Sequence, residues 1–173
     1  MSGTDHRDQV AAAVRVAILT VSDTRSREND HSGRTIHRLV TGAGHLVVEY
    51  HLLRDEPDSV RECVQAWCAR GHCDAILITG GTGLADRDTT IEAVASIFAK
   101  HIDGFGELFR MLSFADIGAN AMLSRAMAGT HGNTVIFCMP GSTAAVTLAM
   151  EKLILPALPH VTALVRPGQL RPS

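Results

Sequence analysis

Ala75-Ile76-Leu77-Ile78-Thr79-Gly80-Gly81-Thr82-Gly83-Leu84-Ala85-Asp86-Arg87-Asp88-Thr89-Thr90 has the pattern of a strand, a turn and a helix start. It opens with an apolar run of strand length, breaks into a glycine cluster, and ends in two carboxylates around a guanidinium at a helix start. Three other apolar runs end in the same manner. Val16 to Val21 leads into Ser22-Asp23, Leu46-Val47-Val48 leads towards Arg54-Asp55, and Thr134 to Met139 leads into Pro140-Gly141-Ser142. In an open α/β sheet the loops that leave the carboxyl ends of parallel strands meet on one edge, and ligands bind there. The four turns therefore predict a single site. Backbone N–H groups exposed by glycines beside a helix start suit a phosphate or another anion.

Helical patterns separate these strands. Ser32 is expected to cap a helix running to Ala43, with Gly44 as its left-handed stop. A strand at 45–53 precedes a helix at 57–69, where Pro57 suits the first turn and Val60, Val64 and Trp67 share one face. Thr89 and Glu92 read as a capping box for a helix through Phe98. Helical stretches are expected at 104–112 and around Ile117 to Leu123. Residues 124–129 and 134–139 read as a hairpin or as two separate strands, and a final helix is expected from Ser142 to Leu155. Strands alternating with helices point to a three-layer α/β/α sandwich on a mostly parallel sheet.

The chain has 173 residues and a formal charge of −2. A domain of this size buries roughly 70% of the surface of its unfolded chain, so one core suffices. We expect one domain at 15–160, with mobile tails at 1–14 and 161–173. Basic and acidic residues are interspersed, which argues against nucleic-acid and membrane partners. The apolar runs fall short of the ~20 residues a membrane span requires, and the first residues lack a signal core, so a cytoplasmic protein is expected. Cys63, Cys68 and Cys73 stand five apart and Cys138 far away, with no Cys-x-x-Cys pair. They read as reduced thiols rather than metal ligands or disulfides.

The glycine cluster is neither a Walker loop, since the closing Lys-Ser/Thr is missing, nor a dinucleotide fingerprint, since Asp86 occupies the third glycine position. A plain strand-to-helix turn remains the alternative. Asp86, Arg87 and Asp88 can hold a magnesium ion and phosphate oxygens, or form a solvated loop. Asp55 is read either as a helix cap or as a contributor to the same cation. The nine histidines are scattered, and no G-x-S-x-G elbow is present.

In order along the chain come Ser22-Asp23-Thr24, Thr79-Gly80-Gly81-Thr82-Gly83 followed by Arg87-Asp88, Gly104-Phe105-Gly106-Glu107-Leu108-Phe109-Arg110, Leu123-Ser124-Arg125 and Pro140-Gly141-Ser142. This series resembles the molybdenum cofactor biosynthesis family called MoaB/MogA over about residues 15–160, with the MoaB members nearest in pattern. The resemblance implies a homotrimer or dimer of trimers that binds molybdopterin. In active members the terminal phosphate of molybdopterin attacks the α-phosphorus of Mg-ATP, giving adenylyl-molybdopterin and pyrophosphate. By motif matching, Asp55 and Asp88 fall at the acidic positions on which activity depends, and both are assigned to magnesium. Gly80, Gly81, Thr82 and Gly83 are assigned to the nucleotide phosphates. Ser22, Asp23, Glu107, Ser124, Pro140, Gly141 and Ser142 are assigned to pterin or nucleotide binding around the same pocket. A partner that inserts molybdate would receive the product. Two departures alter loop stiffness rather than reacting groups: Ile91 and Thr143 stand where the family commonly has proline. A pterin-binding scaffold without turnover is the alternative reading. The apolar segment Phe105, Leu108, Phe109, Met111, Leu112 and Phe114 is expected to form the subunit interface.

Overall fold

Alternation along each central strand builds the molecule, which a computed structural model describes over residues 13–166. Six strands form one sheet: β1 (Arg15–Val21), β2 (Leu46–Leu53), β3 (Ala75–Thr79), β4 (Lys100–His101), β5 (Met127–His131) and β6 (Thr134–Met139). Their spatial order is β2-β1-β3-β6-β5-β4. The pairs β1–β2, β1–β3 and β3–β6 are parallel, while β4–β5 and β5–β6 are antiparallel. The expected mostly parallel sheet is present, and 124–139 resolves into a hairpin closed by Gly132-Asn133. The short edge strand β4 had no counterpart in the sequence reading.

Both faces of the sheet are covered. Val16, Ile18, Leu77, Val135 and Phe137 point into one core with Ile36, Val40, Phe105, Phe109, Val146, Ile154 and Leu158. Ala17, Leu19, Ile76, Ile78 and Ile136 point into the other with Val60, Val64, Trp67 and Val94. A strand buried on both faces must be apolar at every position, which explains why these runs show no polar alternation. Helices α1 (His31–Gly42), α4 (Asp103–Ile117), α5 (Thr143–Ala149) and α6 (Leu155–Val165) supply the first layer, and α2 (Pro57–Arg70) and α3 (Thr90–Ala95) the second. Complete burial of one Leu or Ile contributes about 1.5–3 kcal/mol. The dozen large side chains with essentially no exposure, Trp67 and Phe109 among them, are therefore the main support of the sheet.

Several boundaries differ from expectation. Asp30, not Ser32, caps α1 by accepting from the Gly33 N–H at 2.9 Å. The Ser32 hydroxyl is instead turned to the Gly141 carbonyl at 2.6 Å. The capping box at Thr89 and Glu92 does not form, because Thr89 donates to Asp55 and Glu92 pairs with Arg125, and α3 ends at Ala95 rather than Phe98. The stretch after α4 is a tight 3-10 turn, Gly118–Leu123.

The final helix continues to Val165. A π turn at Met150–Ile154, with Leu155 N–H bonded to the Met150 carbonyl, carries it past Pro156, where regular α geometry would crowd the proline ring. Residues 161–165 thus belong to α6 rather than to a tail, and Val14, 3% exposed, belongs to the core. The rest of the expected tails, 1–12 and 167–173, lies outside the described residues. The continuous helix Thr143–Val165 has 23 residues and a mean hydropathy of 1.4, enough by length and composition to cross a membrane. It is not one apolar run, since Glu151, Lys152 and His160 interrupt it. Its Val146, Ala149, Met150, Ile154 and Leu158 are fully buried against the sheet.

Candidate functional site

Ser22, Asp23, Asp55, Gly80, Gly81, Thr82, Gly83, Asp88, Pro140 and Gly141 all line one recess of about 440 Å³ at the carboxyl edge of the parallel strands. Strands β2, β1, β3 and β6 are neighbours in the sheet, so the loops that follow them necessarily adjoin. Arg25 and Arg87 complete the wall.

The glycines are where the backbone needs them. Gly80 and Gly81 have φ of +95° and +64°, a region that side chains rarely enter. A Cβ on Gly80 would fall 2.1 Å from the Val21 carbonyl oxygen, and one on Gly81 would fall 2.1 Å from Thr90 Oγ1 and 2.4 Å from Asp55 Oδ2. The cluster thus lets β1 and the acidic groups approach the turn closely. Gly141 packs against Gly80 in turn, joining the β6 loop to the β3 loop.

Asp55 is the most enclosed acid of the site, 7% exposed. Its Oδ1 accepts from Thr89 twice, from N–H at 3.2 Å and from Oγ1 at 2.8 Å. Burial raises its pKa above the usual carboxylate value. The Thr89 donors oppose that rise, and the nearby charges of Asp88 and Asp23 add to it. Asp88 accepts from the Ala85 N–H at 3.3 Å and lies beside Gly83, where a Cβ would come 2.5 Å from its Oδ2. Asp23 accepts from the Asp55 N–H at 3.3 Å and is gripped by Arg87, with Nε at 2.8 Å and Nη2 at 2.7 Å. This clasp joins the β1 loop to the β3 loop across the recess mouth.

The Gly141 carbonyl is held by Arg25 Nη2 at 2.7 Å and by the Ser32 hydroxyl. The Pro140 carbonyl accepts from Thr79 Oγ1 at 3.0 Å. Behind them lies Asp30, fully buried, which accepts from Tyr50 OH at 2.5 Å. Burial, reinforced by Asp30, pushes the Tyr50 phenol up to about 12, so it stays protonated and donating.

Ser124 and Ser142 sit next door. They line a smaller recess of about 180 Å³ with Phe109, Ser113, Asp116 and Leu148, and Pro140 is common to both recesses. The Ser142 hydroxyl caps α5 by accepting from the Ala145 N–H at 3.2 Å. Glu107 is not brought to the site: it is exposed on α4 and lines neither recess. Arg25 and Arg125 were missed as site residues. The sequence signal was that Arg25 follows Ser22-Asp23-Thr24 and that Arg125 closes Leu123-Ser124-Arg125; their roles were hidden because the carbonyls they hold are 116 and 42 residues away in sequence.

Among the described residues no group of three or more His, Cys, Asp or Glu side chains converges as a metal centre. A magnesium ion needs less, usually one or two carboxylates plus phosphate oxygens. The site fits such an ion. Asp55 is enclosed beside two further carboxylates, and the Thr90 hydroxyl next to it is buried with no partner among the described residues. No cysteine lines the recess, and burial pushes Cys63 and Cys73 up to about 11 and 12, the state of inert thiols.

A family model described as a probable molybdopterin binding domain matches residues 17–160. The molybdenum cofactor biosynthesis protein B of Bacillus anthracis is 52% identical over 163 residues, covering 94% of this chain and 96% of that protein. A solved structure of a molybdenum cofactor biosynthesis protein B superposes with a TM-score of 0.88 at 50% identity, covering 91% of this chain and 98% of the other. The tungsten cofactor synthesizing protein MoaB of Pyrococcus furiosus gives a TM-score of 0.81 at 30% identity, over 90% of this chain and 98% of its own.

Proposed function

The chain belongs to the molybdopterin-binding-domain family of molybdenum cofactor biosynthesis proteins, and from that premise we propose that it adenylylates molybdopterin with Mg-ATP. The observation that carries this reading is the convergence of Asp55 and Asp88 on the recess formed by the glycine loop. A scaffold that only holds a pterin has no need of two carboxylates beside a phosphate loop. An oxygen of the molybdopterin phosphate forms a bond to the α-phosphorus of ATP, the bond from that phosphorus to the bridging oxygen breaks, and pyrophosphate leaves. A phosphate monoester has a second pKa near 6, so the attacking group is already ionised at neutral pH and no general base is needed. Such transfers depend on alignment and charge neutralisation.

Asp55 and Asp88 would hold the magnesium ion, which when bound draws off negative charge from the phosphates. The backbone N–H groups of the glycine loop hold the triphosphate. Arg25 and Arg87 add positive charge at the wall. The adjoining recess, mostly apolar with Ser113, Asp116, Ser124 and Ser142 at its edges, has the room and polarity for a flat heteroaromatic ring. Assembly as a homotrimer or dimer of trimers uses the exposed apolar strip Leu108, Met111, Phe114, Ile117, Met122 and Leu123 along α4 and the following turn. Phe105 and Phe109 of the expected interface are core instead. The reading implies a cytoplasmic enzyme whose product passes to a partner that inserts molybdate.

The test is pyrophosphate release from Mg-ATP in the presence of molybdopterin. Asp55→Asn and Asp88→Asn keep the shape but remove a charge from the ion's surroundings. Each should lower single-turnover rates by on the order of 10²-fold, with pterin binding retained. The double variant should lose less than the sum of the two, because both groups serve one ion. Pterin binding without pyrophosphate release in the unaltered protein would refute the activity and leave a binding scaffold.

A further inference from the structure

Arg125 stands between the 3-10 turn and β5, outside the recess, on the far side of the glycine loop. Its Nε donates to the Thr82 carbonyl at 2.9 Å, and its Nη2 donates to the carbonyls of Gly83 at 2.6 Å and Asp88 at 3.3 Å. Its Nη1 pairs with Glu92, which lowers the Glu92 pKa through that hydrogen bond. One planar guanidinium thus gathers the loop, the turn that carries Asp88 and the body of α3. Backbone bonds add to this grip, from the Thr90 N–H to the Gly81 carbonyl at 3.0 Å and from the Asp88 N–H to the Ala85 carbonyl at 2.9 Å. Helix α3 has six residues and no side-chain cap, because the Thr89 hydroxyl is committed to Asp55.

The consequence follows from peptide geometry. The described peptide bonds contain no cis linkage, and in a trans peptide the N–H of one residue points opposite to the carbonyl of the residue before it. With the Thr82 and Gly83 carbonyls drawn to Arg125, the N–H groups of Gly83 and Leu84 are turned away from it, and Gly83 borders the recess that Arg125 does not line. We infer that Arg125 is a positioning residue that aims the glycine-loop N–H groups, and with them the Asp88 turn, at the phosphate ligand. The inference rests on the proposed phosphate-binding role of this recess. Arginine is the residue for this task because its fork reaches several acceptors at fixed angles, which a lysine ammonium cannot do.

Three proteins decide it: the unaltered chain, Arg125→Ala and Arg125→Lys. Amide hydrogen exchange should rise about tenfold or more at residues 82–89 in both variants, with β1, β3 and β6 unchanged, and binding of Mg-ATP by calorimetry should weaken by about tenfold or more. Added guanidinium ion should restore both in Arg125→Ala, whereas ammonium at equal ionic strength should not. Unchanged loop exchange, a rise spread across the whole sheet, or a loosened loop with unaltered affinity would each overturn the inference. Magnesium pyrophosphate serves as a second probe. If the unaltered chain binds it but not Mg-ATP, the nucleotide reading fails while Arg125 is still judged on pyrophosphate. If the unaltered chain binds neither, both readings fail.

Discussion

Replacing Gly81 with alanine should damage this protein more than its small size suggests, and the damage has two separable parts. At φ +64° an L-residue is strained by roughly 1–2 kcal/mol. The new Cβ would also lie 2.4 Å from Asp55 Oδ2 and 2.1 Å from the buried Thr90 hydroxyl, neither of which can stay in place. Moving the Asp55 carboxylate breaks its two bonds from Thr89, and hydrogen bonds to a charged group are worth about 1.5–3 kcal/mol each. The combined loss is about 4 kcal/mol or more. For a chain of this size each kcal/mol moves Tm by about 2–4 °C, so Gly81→Ala should lower it by roughly 10 °C. Gly132→Ala is the control, since Gly132 has φ +56° with nothing within 4 Å of the added methyl, and only the backbone strain applies. Gly83→Ala is the complement, meeting Asp88 Oδ2 at 2.5 Å without a left-handed backbone. Thermal unfolding and Mg-ATP calorimetry on all three give the assay. Gly81→Ala should lose stability and binding, Gly83→Ala mainly binding, and Gly132→Ala a few degrees of Tm alone. If Gly81→Ala is no less stable than Gly132→Ala, the close approach of the loop to Asp55 is not what demands the glycine.

Two further outcomes are expected. Because Asp55 has its pKa raised in the folded protein, the folded state binds more protons than the unfolded one between the ordinary carboxylate value and the raised one, and stability falls as pH rises through that window. Asp55→Asn removes this loss and should be as stable as the unaltered chain, or more so, at neutral pH; a lower Tm at pH 7 than at pH 4, relative to the unaltered chain, would contradict it. Phe114→Asp, on the exposed strip of α4, should shift the light-scattering mass from three or six chains to one without lowering helical content, and a monomeric unaltered chain would remove the assembly altogether.

The sequence determined the parts of this protein that local chemistry controls. Strands buried on both faces had to be continuous apolar runs, so β1, β3 and β6 were visible at once, and Pro57 with Val60, Val64 and Trp67 marked α2. The order of strands and helices then required the loops after β1, β2, β3 and β6 to share an edge, which is why Asp55, Asp88 and the glycines could be assigned to one site before any contact was known. How polar side chains divide their hydrogen bonds depends instead on contacts made across the fold. Thr89 and Ser32 carry the chemistry of helix caps, yet the first is taken by Asp55 and the second by Gly141, because partners brought close by the sheet compete with local backbone. The same holds for Glu107, which shares a motif with buried neighbours but faces away on α4, and for the final helix, which a π turn carries beyond the end expected at Leu155. Arg125 is the clearest case: its four acceptors lie 33 to 43 residues away in sequence, so they become one grip only once β5 and α3 are in place.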